Sequence, residues 1–100
     1  MKKGFLILCL ASVSATAFAH SPSLQCKHQN TNITCEGGFS DGSSAFGVII
    51  EVKDYDDKVL FSGKLDKSSK ITFGAPKGDF YVKFDAGPGH IIEVDHTDIP

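Results

Sequence analysis

Arginine is absent from this 100-residue chain, and all ten of its basic side chains are lysine. Nucleic-acid and phosphate surfaces rely heavily on the planar guanidinium fork. The lysines are also scattered rather than clustered, so nucleic acid is not an expected partner. A long apolar run is missing too. The stretch from Phe5 to Val13 is broken by serine and falls well short of the roughly 20 apolar residues a spanning helix needs. No segment shows helical periodicity, no internal repeat is present, and no linker is long enough to divide the chain. The serines sit in turn-like clusters without a G-x-S-x-G elbow. The acid pair Asp56-Asp57 lies in a polar turn, where solvation accounts for it. A domain this small offers little room for the broad surface of a copper oxygenase. The sequence does not read as an enzyme.

The chain begins in the pattern of an export leader. Lys2 and Lys3 form a positive start, an apolar stretch follows, and Ala17-Phe18-Ala19 supplies the small-x-small cleavage pattern. The reading is a signal peptide over residues 1–19, removed to leave one small domain over 20–100 in the periplasm or secreted, with no membrane span in the mature chain. Removing Lys2 and Lys3 leaves eight lysines against twelve acids, a net charge of −4 in place of −2. The tripeptide Asn32-Ile33-Thr34 matches a glycosylation sequon, but such tripeptides arise often by chance and the leader is of bacterial type.

Cysteine is scarce. Cys9 leaves with the leader, and Cys26 and Cys35 remain. An even pair in an oxidising compartment reads first as a disulfide. If Asn30-Thr31 form a two-residue hairpin turn, Gln29 opposes Asn32, His28 opposes Ile33, and Cys26 falls opposite Cys35. Cross-strand β-carbons lie about 4.5–5.5 Å apart, close enough to bridge. The spacing C-x8-C matches no common zinc site.

Beyond a glycine- and serine-rich connection over 37–44, apolar residues alternate with polar ones. Val48, Ile50 and Val52 form one inward phase, and Val59, Phe61 and Leu65 the next. Ile71 and Phe73, then Phe80, Val82 and Phe84, then Ile92 and Val94 complete the series. Period-two patterning with closely spaced turn signals predicts an all-β fold, an antiparallel Ig-like or transthyretin-like β-sandwich of about seven strands. Its expected core is centred on Phe46, Phe61, Phe73, Phe80 and Phe84. Gly87-Pro88-Gly89-His90 carries proline and glycine where a type II turn prefers them.

Four histidines, His20, His28, His90 and His96, survive cleavage at Ala19–His20. Neutral imidazole suits zinc, copper and nickel. His20 as the first residue would offer both an α-amine and a ring nitrogen to one ion. His90 leaves a rigid turn at one end of the fold, where binding residues collect. His28 is in phase with Cys26 in the hairpin, and His96 lies in the tail beside Asp95 and Asp98. The metal candidates are therefore His20, His90 and His96, with Asp95 and His28 behind them. A square-planar N-terminal chelate with histidine third is excluded by the order His20-Ser21-Pro22-Ser23, because Pro22 has no amide proton to lose. A brace of amine, ring and a second imidazole remains.

Three runs carry a family cadence: Phe39-Ser40-Asp41-Gly42-Ser43; Gly47 to Val52 with Val59 to Asp66; and Phe80 to Asp85 leading into Ala86-Gly87-Pro88-Gly89-His90. Over residues 38–94 the chain resembles the small extracytoplasmic β-sandwich domains that accompany bacterial nickel and cobalt uptake transporters. These are distantly similar to carboxypeptidase regulatory-like and transthyretin-like domains. The resemblance implies a transition-metal-binding accessory protein in which His20 and His90 capture nickel or cobalt, with a metal-uptake permease or another envelope protein as partner. Copper is the ion favoured by the intrinsic affinity order. The Cys26–Cys35 hairpin departs from the group, and with no transmembrane helix the implied role is a soluble accessory rather than a transporter subunit. The rival reading is a non-metal interaction module of the cell envelope, binding through exposed Tyr55, Tyr81 and Ile49.

Overall fold

A computed structural model describes residues 21–100. The expected leader over residues 1–19 and the metal candidate His20 lie outside the described residues. Seven strands run in order: β1 (Pro22–Gln29), β2 (Asn32–Phe39), β3 (Ile49–Asp54), β4 (Val59–Lys64), β5 (Lys70–Gly74), β6 (Phe80–Asp85) and β7 (Ile91–Asp95). A single 3-10 turn, η1 (His96–Asp98), follows β7. The strands form two antiparallel sheets, ordered β1-β2-β5 and β4-β3-β6-β7. The all-β, two-sheet architecture is the one that the period-two patterning predicts.

The first hairpin has the expected register. Gln29 pairs with Asn32, His28 with Ile33 and Cys26 with Cys35, and the disulfide is formed with the two Cα atoms 4.0 Å apart. That short separation belongs to a non-hydrogen-bonded antiparallel pair, in which side chains approach most closely. Asn30 turns the chain at φ 60°, a conformation asparagine tolerates better than most residues. Two further turns share one device. Asp54 Oδ1 accepts from the Asp56 and Lys58 amides at 2.9 Å each, and Asp66 Oδ1 accepts from those of Ser68 and Lys70 at 2.8 and 3.0 Å. Each carboxylate satisfies donors that the tight turn leaves unpaired.

The core lies between the sheets and is more aliphatic than the phenylalanine count implies. Phe84, Ile33, Ile50, Leu65, Val52, Val82 and Cys35 are its largest fully buried side chains. Phe73 and Phe80 join them, whereas Phe61 is only half-buried and stacks on Phe73 at 5.4 Å. Phe46 corrects the expectation outright: it is 60% exposed. The cause is local. The Ala45 amide donates to Ser69 Oγ at 3.0 Å and Gly47, at φ 84°, donates to the Leu65 carbonyl at 2.9 Å. These bonds turn Ala45 inward and leave Phe46 pointing outward.

One close approach makes the two sheets fit. A β-carbon on Gly37 would meet Leu65 Cδ1 at 2.7 Å and Phe84 Cε2 at 2.8 Å. Only a residue without a side chain lets β2 pass over that pair. At the far end of the sandwich the tail closes an edge, with Ile99 buried and the His28 amide donating to the Pro100 carbonyl at 2.8 Å. Among the described residues no helix is long and apolar enough to cross a membrane.

Candidate functional site

His90 sits where β6 turns into β7. Gly87 and Gly89 take φ of 105° and 82°, the left-handed region that glycine enters at little cost. The His90 amide closes the turn on the Gly87 carbonyl at 2.9 Å, and the Ala86 amide donates to the His90 carbonyl at 3.1 Å. Asp85 Oδ1 accepts from the Gly87 amide at 3.0 Å. The backbone bearing the imidazole is therefore held on both sides. This is the turn that proline and glycine signal in the sequence.

The ring is held as well. Its Nδ1 lies 3.3 Å from the Pro88 carbonyl. A carbonyl can only accept, so this contact favours the hydrogen on Nδ1. Phe39 packs edge-on against the imidazole, ring centroids 6.4 Å apart, and against buried Phe84 at 5.8 Å. The imidazole is thus tied to the core through one aromatic ring. Phe39, Ser43, Ala86 and His90 line a hollow of ≈ 220 Å³.

The start of the described chain reaches the same end of the sandwich. Pro22 pairs with Phe39. Ser21 donates its amide to Ser40 Oγ at 3.0 Å, and the Ser40 amide donates to the Ser21 carbonyl at 2.8 Å. Beside Ser40, Asp41 Oδ1 accepts from the Ser43 amide and hydroxyl at 2.9 and 2.6 Å, which shapes the loop that borders the hollow.

His96, Asp95 and His28 lie at the other end. His90 precedes β7 and His96 follows it. Six residue steps of roughly 3.4 Å separate them by about 20 Å, ten times a typical metal–nitrogen bond of about 2 Å. The two imidazoles do not share an ion within one molecule. His96 Nε2 lies 3.1 Å from Asp79 Oδ1, and its ring packs on Phe80 at 5.2 Å and Tyr55 at 6.0 Å. Both Asp95 oxygens are occupied: Oδ1 accepts from the Tyr55 hydroxyl at 2.7 Å, and Oδ2 from the Thr97 amide and hydroxyl at 3.1 and 2.7 Å. The Thr97 hydroxyl, then Tyr55, hold the Asp95 carboxyl down at about 2. His28 is exposed on β1 rather than packed beside Cys26. These three are accounted for by structural contacts or by solvent.

The same end carries a reciprocal pair of tyrosine bonds. Tyr55, from the β3–β4 turn, donates to Asp95 of β7, and Tyr81 of β6 donates to Asp57 of that turn at 2.6 Å. Donation to a carboxylate resists loss of the phenolic proton, and both hydroxyls are pushed up to about 12. Of the three residues named for a non-metal interface, Ile49 and Tyr55 are exposed and Tyr81 is half-buried.

Among the described residues no group of three or more histidine, cysteine or acidic side chains is gathered to hold a metal. Phe39, Ser40 and Ser43, which frame His90 or the chain start, do not stand out from sequence as site residues. They lie some fifty positions from His90, and only the pairing of β1 with β2 and the packing between sheets bring them together. No protein-family model matches the chain, and no curated protein or solved structure is significantly similar to it, so nothing among them links it to transporter-associated domains.

Proposed function

We propose that the mature protein is an exported transition-metal carrier that holds an ion at the loop end through His90 and the N-terminal His20. The observation behind this reading is the convergence of Ser21 and His90. The serine that follows His20 is fixed on Ser40, next in the chain to Phe39, and Phe39 packs on the imidazole. The Pro88 contact supports a fixed orientation of the imidazole. His20 would contribute its α-amine and ring, so a two-residue site would offer three nitrogen donors, a set suited to nickel, cobalt or copper. Nickel or cobalt follows from the resemblance of the sequence. The role is that of a periplasmic or secreted accessory handing metal to a permease or another envelope protein, without catalysis of its own. The disulfide fits an oxidising compartment.

Titration of processed protein with nickel, cobalt and copper tests the proposal. Binding tighter than millimolar that disappears in His90→Ala and persists in His96→Ala is the expected result. Equal binding by all three proteins, or none by any, would overturn it.

A second reading, a non-metal interaction module, draws on Phe46. Its ring is exposed on a loop held by hydrogen bonds from Ala45, Phe46 and Gly47. Rigid exposed aromatics are frequent anchors of protein interfaces. Loss of partner capture in Phe46→Ser with metal binding intact would favour that reading.

A further inference from the structure

The outer edge of β1 has no strand beside it, and its open backbone groups form a site that neither reading above uses. The alternation of the β1–β2 ladder is fixed at both ends. The Ser21 carbonyl, one step before β1, accepts from the Ser40 amide at 2.8 Å, so the ladder bonds to β2 fall on odd-numbered residues. The His28 amide points the other way and donates to the Pro100 carbonyl. The close approach of Cys26 and Cys35, 4.0 Å between Cα atoms, likewise marks a pair without ladder bonds. Leu24 and Cys26 therefore direct both amide and carbonyl outward, and no described residue pairs with them. Both residues are buried, and an unpaired backbone group is costly unless water or a ligand meets it. Their edge opens into a hollow of ≈ 540 Å³ that Val94, Asp98 and Pro100 also line.

We propose that this edge binds an extended peptide segment of a partner protein, added antiparallel to β1 as a fourth strand of the three-stranded sheet. Two amides and two carbonyls on one side of a strand, repeating about every 7 Å, match the alternating groups of a polypeptide backbone. The tail already makes one bond of this kind: the Pro100 carbonyl takes the His28 amide and ends the open stretch there. Pro22 ends it on the other side, because proline has no amide hydrogen. Side chains opposite Leu24 and Cys26 fall on the core side, where Val94 lines the hollow, and are apolar; the one between them faces solvent. The disulfide fixes the edge at Cys26, which lowers the ordering cost of binding. β4, the outer strand of the second sheet, is defended instead. Its register shifts opposite Val52 and Lys53, and Lys58 and Lys64 bracket it, features that discourage edge pairing.

The experiment follows the backbone amides of the isotope-labelled processed protein by nuclear magnetic resonance during titration with acetyl-Thr-Val-Thr-Val-Thr-amide, whose valines are placed to oppose Cys26 and Leu24. The Leu24 and Cys26 amide signals should shift, saturating with a dissociation constant of about 1 mM or tighter, and their hydrogen exchange should slow. The same peptide N-methylated on both valines keeps every side chain but loses two donors, and should bind about tenfold more weakly or worse. Equal binding of the two peptides would mean apolar adhesion and overturn strand addition. Shifts confined to the Phe46 loop, or none at several times that concentration, would overturn the assignment of this edge. Leu24 and Cys26 amides that move with protein concentration alone would give the edge to a second copy of the chain and overturn the partner proposed.

Discussion

Gly37→Ala should destabilise the protein although alanine is the better strand residue. The added β-carbon would stand 2.7 Å from Leu65 Cδ1 and 2.8 Å from Phe84 Cε2, both side chains being almost wholly buried. Neither can swing into solvent, so relief requires the sheets to part or a rotamer to strain. Overpacking of this kind costs about 1–3 kcal/mol. Against it stands the gain from replacing glycine within a strand, about 0.5–1 kcal/mol. Taking the middle of each range, the steric term wins and leaves a net loss of about 1 kcal/mol. For a domain of this size each kcal/mol moves Tm by about 4–8 °C, so calorimetry should show a drop on that scale. Gly74→Ala is the matched control. Gly74 ends β5, and nothing lies within 4 Å of its would-be β-carbon. That substitution should raise stability by about 0.4–1 kcal/mol. Combining Gly37→Ala with Leu65→Ala should cost less than the sum of the single changes, because the second removes part of the obstruction created by the first. A Gly37→Ala protein that melts at or above the parent temperature would refute the packing argument.

Three other outcomes follow from the same geometry. Replacing both Cys26 and Cys35 by alanine should lower the unfolding free energy by about 2–4 kcal/mol in urea, and an unchanged midpoint would mean the staple contributes nothing. Tyr55 and Tyr81 are shifted from 10.0 to about 12, so their neutral forms favour the fold below pH 10 and that contribution is lost as pH rises from 10 toward 12. Asp95, lowered from 3.8 to about 2, contributes in the opposite sense: fully above 3.8, and lost as pH falls toward 2. Absorbance titration near 295 nm checks the tyrosines, and a full phenolate step centred at pH 10 with native circular dichroism would contradict the assigned bonds. Phe39→Leu keeps an apolar side chain on Phe84 but removes the edge contact to the imidazole, and should weaken nickel binding about tenfold; an unaltered affinity would remove Phe39 from the site.

Much of the β architecture is legible in the residue order because it depends on short-range rules. Alternation of apolar and polar residues specifies strands, and a two-residue turn at Asn30-Thr31 sets the Cys26–Cys35 register by counting. The Pro88-Gly89 turn is readable for the same reason, since proline and glycine impose their own φ values. Phe46 shows where such rules stop. Its apolarity points inward, but hydrogen bonds from its neighbours to Ser69 and Leu65, about twenty residues away, decide that Ala45 takes the interior position. The histidines divide along the same line. Sequence supplies four imidazoles and a small-x-small pattern just before one of them, because those are properties of residue identity and local order. Whether two imidazoles stand together is decided by which strand ends the sheets bring side by side. β7 holds His90 and His96 apart at its two ends, while the pairing of β1 with β2 carries the chain start to the Phe39–His90 end. Local chemistry is written residue by residue, and proximity across a sandwich arises only when both sheets have closed on their common core.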